Sequence, residues 1–219
     1  MDDCIIFNYR FNKLGPESID RVIIDDRFDA LDEEKREIFL NNLKKCENLI
    51  YLKIDSEELE YIPDNLNNLE DLIINNGPKI KEIPKNLPKL RHLQIFFNFE
   101  DNIKEIPKSL KNLKVLDLFD TLNKIEIPET VENLTLMICP NIEIDNLLNL
   151  KHLFINDPDL KEIPKSLTNL TYLHIDMSNN LKEIPETLTN LKELCIRGCN
   201  NITIPNKIRN LPNIKIEQI

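Results

Sequence analysis

Histidine and cysteine are the side chains of this 219-residue sequence best suited to nucleophilic or metal chemistry. They are few: His92, His152 and His174, with Cys4, Cys46, Cys139, Cys195 and Cys199. A Cys–His pair can make a thiolate nucleophile or supply two ligands to a tetrahedral metal. His174 and Cys195 stand 21 residues apart and are expected as lateral neighbours in the folded chain, with Asp176 and His152 close by. A nucleophile also needs an oxyanion hole and a site closed to water. The cysteines form no C-x-x-C pair, and the sequence holds no P-loop, G-x-G-x-x-G or H-E-x-x-H motif. Three glycines are too few for a phosphate cradle. The expectation is therefore a non-enzymatic chain with no cofactor, no metal and no catalytic residue. The competing reading of His174 and Cys195 is a polar surface that happens to hold both.

The bulk composition narrows the partner. Hydrophobic residues make up 41% of the chain, charged residues 30%, and the net charge is −10. An acidic surface opposes binding to nucleic acid, whose phosphates call for a surplus of Lys and Arg, and to anionic lipid. No apolar run approaches the ~18 residues of a membrane span. The acidic start, MDDCIIFNYRFNK, lacks the apolar region of a secretion signal. An odd cysteine count then suggests free thiols in a reducing, cytoplasmic compartment.

What would position these side chains is a repeat. KEIPKSL occurs at Lys104–Leu110 and again at Lys161–Leu167, with KEIPKNL at Lys81–Leu87 and KEIPETL at Lys182–Leu188. The text after each Ile-Pro aligns as I-P-x-x-L-x-x-L-x-x-L-x-I. Its last Leu falls at Leu52, Leu72, Leu93, Leu116, Leu136, Leu153, Leu173 and Leu194, and as Ile at Ile214. The steps are 20, 21, 23, 20, 17, 20, 21 and 20 residues, the signature of a solenoid. The L-x-I pair alternates with period two, as in a strand with one buried face. Proline lacks the N–H a central strand needs, so it belongs on the return. One coil cannot enclose its apolar side chains, but stacked coils can.

L-x-x-L-x-I with a short I-P-x-x-L return resembles the leucine-rich repeat superfamily. It is similar to repeats of bacterial effectors and of amoebal or giant-virus proteins. The resemblance covers about Ile19 to Ile216 and implies an α/β-type solenoid. That is a leucine-rich repeat arc with a parallel sheet on the concave face, irregular or 3₁₀ proline-containing returns on the convex face, and an N-terminal cap with one helix. Family members carry Asn or Cys shortly after the strand. The matching places here hold Glu57, Gly77, Asn98, Thr121, Pro158, Ser178 and Cys199. This predicts a broken ladder. In the fifth coil, Leu134 to Asp145, Leu136 and Ile138 are read as inward, with Met137 and Cys139 as the alternative. The extra residues of IFFNFEDNI, Ile95 to Ile103, should bulge, with Phe97 and Phe99 able to fold under them.

Residues 1–48 are read as a cap plus an enlarged first repeat, and residues 49–219 as about nine repeats. Ile19, Val22 and Ile24 take inward places, IIFNYRF (Ile5–Phe11) suggests an antiparallel strand, and a helix is expected over about 30–46. Leu31, Ile38, Phe39, Leu43 and Cys46 share its apolar face. No C-terminal cap is evident. An open parallel edge there points to pairing of two copies, or is simply tolerated, or marks an excised piece.

The residues flanking each inward Leu face outward and form rows across the sheet, about 4.8 Å apart. All three histidines fall on this face, with Phe96, Phe119, Phe154 and Tyr172 in its middle. Asn213, Lys215 and Glu217 take the last coil's places. Aromatic anchors inside a polar rim are typical of protein interfaces, and local ring packing is the alternative. The expected partner-binding set is His92, Phe96, Asp117, Phe119, His152, Phe154, Tyr172, His174, Asp176 and Arg197. The expected function is a protein–protein interaction scaffold with a partner of unknown identity. The alternatives are substrate recognition for a ubiquitin-ligase or effector system, acting in a host cytoplasm, and a self-assembling structural protein.

Overall fold

The computed structural model describes residues 5–6, 15–96, 103–200 and 202–219. The chain forms two compact units, Met1–Leu113 and Lys114–Ile219. In the first, β1 (Ile5–Ile6), β2 (Arg21–Ile24), β3 (Tyr51–Asp55), β4 (Asp71–Asn76) and β5 (His92–Phe96) pair in chain order, all parallel. The second holds β6 (Val115–Phe119), β7 (Asn133–Met137), β8 (His152–Asn156), β9 (Tyr172–Asp176), β10 (Glu193–Arg197) and β11 (Lys215–Gln218) in the same arrangement. Parallel pairing follows from the repeat, because every return brings the chain back to the same end of the sheet.

Each coil is held by its own apolar set. In the coil that starts on β8, Leu153, Ile155, Ile163, Leu167 and Leu170 are all at most 3% exposed. Each side chain so buried is worth about 1.5–3 kcal/mol. The Ile-Pro segments run irregularly on the far side, closed by short turns such as Leu110 N–H to Pro107 O (3.1 Å) and Leu167 N–H to Pro164 O (3.3 Å). The Lys-Glu pairs before Ile-Pro, such as Lys161 and Glu162, are exposed in every copy of the phrase.

The coils are also bonded to one another by an asparagine ladder at the N-L dipeptide before the strand. Asn68 Nδ2 donates to Glu47 O and Asn112 Nδ2 to Pro88 O, both at 2.6 Å. In the second unit Asn149 donates to Glu129 O (2.9 Å), Asn169 to Leu148 O (2.7 Å) and Asn190 to Thr168 O (2.8 Å). Each amide satisfies the carbonyl that precedes the equivalent position one coil back. A parallel series runs two residues after proline, where Ser166 Oγ donates to Asp145 O (2.6 Å) and Thr187 Oγ1 to Lys165 O (2.8 Å).

Several expectations need correction. In the fifth coil Leu134, not Leu136, pairs with Leu116 and Leu153. Leu136 is inward as expected, but Ile138 is 49% exposed and Cys139 is buried. In the last coil Ile216, not Ile214, pairs with Leu194, so Lys215 and Glu217 sit opposite Glu193 and Cys195. Both slips are of two residues, which keeps the faces within the strands and moves the rows. Ile138 lies past the end of β7, where the left-handed backbone turns it outward. In the first unit β3 and β4 are offset by a bulge, so Asp55 faces Asn76 and not Asn75.

Ile5–Ile6 pairs parallel with Val22 and Ile23, not antiparallel. Phe7 to Phe11, Phe97 to Asn102 and with them Asn98 lie outside the described residues. The helix is α2 (Glu33–Leu43), preceded by a four-residue α1 (Asp26–Asp29). Asp32 caps α2, accepting from Lys35 N–H at 2.9 Å. Phe39, Leu43 and Cys46 are buried as expected, but Ile38 is 53% exposed and Leu40 takes its inward place. Phe28 completes this cluster, its ring 5.5 Å from that of Phe39. Ile19, Val22 and Ile24 are buried as read from the sequence.

Candidate binding face

In the second unit the strands turn Leu and Ile inward and set three rows of side chains on the outward face. The first runs Val115, Asn133, His152, Tyr172, Glu193 and Lys215. The second is Asp117, Thr135, Phe154, His174, Cys195 and Glu217. The third is Phe119, Met137, Asn156, Asp176 and Arg197. Eight of the ten residues named from the sequence stand here, all at outward positions.

His92 and Phe96 belong to the first unit, on β5. There His92 Nδ1 lies 3.1 Å from Asp71 Oδ1, and Phe96 is half-buried.

The rings of β8 and β9 pack in pairs. Phe154 and His174 have centroids 4.5 Å apart, and His152 and Tyr172 5.8 Å. Tyr172 Oη is 3.4 Å from His174 Nδ1. Only 9% of His174 is exposed, and its Nε2 is buried without a hydrogen-bond partner. Burial pushes the His174 pKa down, and the Arg197 charge adds to this against Asp176 and Glu217. Cys195, opposite His174, is 4% exposed, and burial raises its thiol. A thiol held protonated beside a desolvated imidazole is the reverse of an activated Cys–His pair. Among the described residues no group of three or more His, Cys, Asp or Glu could hold a metal ion.

The polar groups around the rings are partly neutralised. Asn156 Nδ2 donates to Asp176 Oδ2 at 3.3 Å, and Arg197 pairs with Glu217 at 3.2 Å. At the entrance to the strands, Glu132 is bonded by Lys114 (2.7 Å) and Lys151 (2.6 Å), which together pull its carboxyl down to about 2.

Sequence reasoning left Asn133, Thr135 and Met137 of β7 out of the outward rows, because two registers were open for the fifth coil. The dipeptide Asn133-Leu134 before Thr135-Leu136 gives the same L-x-L alternation and could have placed them. It also missed the rim where the strands end. Asp120, Ile138 and Met177 are left-handed there, at φ 59°, 56° and 53°, and Gly198 takes the same place at 57°. Their N–H groups donate across to the next strand, as in Ile138 to Asn156 O (2.8 Å) and Met177 to Arg197 O (3.0 Å).

The ladder expected to be broken is present in other side chains. Thr121, Cys139, Asp157 and Ser178 are buried just after their strands, as Ser56 is in the first unit, with Cys199 half-buried. Ser178 N–H donates to Cys199 Sγ (3.2 Å), Asp157 N–H to Ser178 Oγ (3.3 Å) and Cys139 Sγ to Leu118 O (3.4 Å). The places read as Glu57 and Pro158 are filled by the residue before each, Ser56 and Asp157. The side chains meet different groups: Ser56 Oγ accepts from Leu59 N–H (3.1 Å), Asp157 Oδ1 from Asp159 N–H (2.9 Å), and Cys139 Sγ reaches back to the preceding coil.

No protein-family model matches the chain, and no curated protein matches it. Solved structures do. TLR13 in complex with ssRNA13 superposes with a TM-score of 0.62 at 18% identity, over 94% of this chain and 34% of that one. The functional domain of InlJ from Listeria monocytogenes, described as including a cysteine ladder, gives 0.50 at 18% identity, over 81% and 50%. The fold is the leucine-rich repeat fold. The chain spans about a third of the length of the first solved chains it matches. The leucine-rich repeat domain of the type III effector XopL also matches, at 23% identity over 80% of this chain and 70% of that one, with a TM-score of 0.48.

Proposed function

We propose that this chain is a non-catalytic recognition scaffold that takes a protein partner on the outward face of β6–β10. One observation carries the reading. Phe119, Met137, Phe154 and Tyr172 stand half-exposed on four adjacent strands, at places where the coil itself needs no apolar side chain. Large rings and a thioether within a rim of Asp117, Asp176, Glu193 and Arg197 have the composition of an interface centre. The net charge of −10 disfavours a phosphate backbone or an anionic membrane. The solved TLR13 complex contains an ssRNA, and such a ligand calls for cations that the middle of this face lacks. The described cysteines are all free thiols, which supports a cytoplasmic setting.

The test is affinity capture from a eukaryotic cytosolic extract with the wild type and with Phe119→Asp/Phe154→Asp. A protein held by the first and lost by the folded second supports the reading. Identical captured sets would sink it.

A further inference from the structure

We infer that the partner segment seated on β6–β9 presents a cationic side chain, of arginine or lysine type, over the Phe154 and Tyr172 rings. This rests on the reading above and assigns the chemistry that the face accepts.

The first support is the sign of the charge. Outward positions of β6 to β9 hold Asp117 and Asp176, with Asp120 at the rim, and no Lys or Arg at all. The nearest cation of the sheet, Arg197 on β10, is paired with Glu217 on the side away from β9.

The second is the ring geometry. The Phe154–His174 and His152–Tyr172 pairs, tilted at 51° and 47°, lay a patch of π surface across β8 and β9, with Asp176 two residues beyond the position opposite Phe154. Aromatic faces carry negative potential, and a cation gains most where a ring and a carboxylate can both reach it.

The third is a precedent inside the molecule. Tyr51, at the first outward place of β3, has the Arg21 guanidinium 4.0 Å from its ring centroid, delivered by the strand beside it. Tyr172 occupies the same place on β9, but its neighbours in the row are His152 and Glu193. The cation that the first unit supplies from its own chain would come, in the second, from the partner. Met137, Ile138 and Met177 along the rim offer an apolar seat for the residues flanking that cation.

The probe is a blocked peptide of alternating arginine and leucine, set against a twin with citrulline in place of arginine, which keeps the shape and removes the charge. Ring resonances of Phe154, Tyr172 and His152 are followed by NMR as each is added to the intact chain. The arginine peptide should shift them saturably, with an affinity about tenfold above that of the citrulline twin. Asp176→Asn and Phe154→Leu should each remove most of that difference. Glu162→Gln, which takes the same charge from an exposed return, should leave it intact. Equal binding of the two peptides at these rings overturns the cation while leaving the face as a binding site. Shifts confined to other residues, or none with millimolar arginine peptide, overturn both. An equal loss in Glu162→Gln would reduce the effect to net charge and overturn the assignment to the rings.

Discussion

The phenyl ring of Phe154 and the imidazole of His174 lie 4.5 Å apart and tilted by 51° on adjacent strands, in the middle row of the outward face. The contact shields a titratable ring with an apolar one. It leaves His174 with Tyr172 Oη on one nitrogen and no partner on the other.

His174 should therefore titrate below 6.5, because burial and then Arg197 oppose its charged form. Its folded-state pKa is depressed, so its contribution to stability is present above 6.5 and is lost as pH falls through the folded value. Histidine NMR during an acid titration measures the midpoint directly. A His174 midpoint at or above 6.5 would show that the ring is not buried as described.

Glu132 is the opposite kind of group. Lys114 and Lys151 hold its carboxyl at about 2, against a usual 4.5. The stability it adds is present above 4.5 and lost as pH falls towards 2. Glu132→Gln should flatten that part of the pH–stability curve in denaturant titrations. A slope unchanged between pH 4.5 and 2 would mean that the two lysines are not engaged in solution.

The register of the fifth coil can be checked by a pair of substitutions. Leu136→Ala should cost about 2–5 kcal/mol as a core truncation. Ile138→Gly should stabilise by about 1 kcal/mol, since a β-branched residue is strained at φ 56° and its side chain is half in solvent. If Ile138 were inward instead, Ile138→Gly would be the costly change.

The asparagine ladder predicts a modest, repeated stabilisation. Asn169→Ala should cost about 1 kcal/mol by leaving Leu148 O without its amide. Lys89, which stands at the equivalent place between Asn68 and Asn112, should be replaceable by Asn with a small gain. Thermal melts of the two variants against the wild type would show shifts of opposite sign.

Thiol reactivity should follow burial. Cys46 is pushed up to about 11 by burial, and Cys139 and Cys195 are raised by the same cause. Cys199 is the least buried of these four. Brief alkylation of the native protein, read by mass spectrometry, should label Cys199 before Cys46, Cys139 and Cys195. Early modification of Cys139 would argue that the fifth coil opens readily.

The sequence by itself determined the coil. A period near 20, an L-x-I pair of period two and a proline that cannot enter a central strand leave few ways to bury Leu153, Ile155, Ile163, Leu167 and Leu170 together. Those constraints are local and repeated, so each copy of KEIPKSL confirms the others. Within the strands they also determined which side chains face outward, because the pleat has a period of two and a slip of two residues does not change the face. For that reason Asp117, Phe154 and His174 were placed correctly even though Leu134 and Ile216 were not in their rows. Past the end of β7 that rule stops, and Ile138 is exposed.

Only the tertiary structure decided which outward residues are neighbours, since row alignment depends on how many residues each return uses. It alone showed that Ser56, Asp157 and Cys139 are the residues buried after their strands, because which side chain turns in there depends on how each strand ends. It also decided that His174 is nearly closed off while His152, one strand away, is exposed. Burial there is set by rings that lie 20 residues apart in the chain and meet only across the sheet.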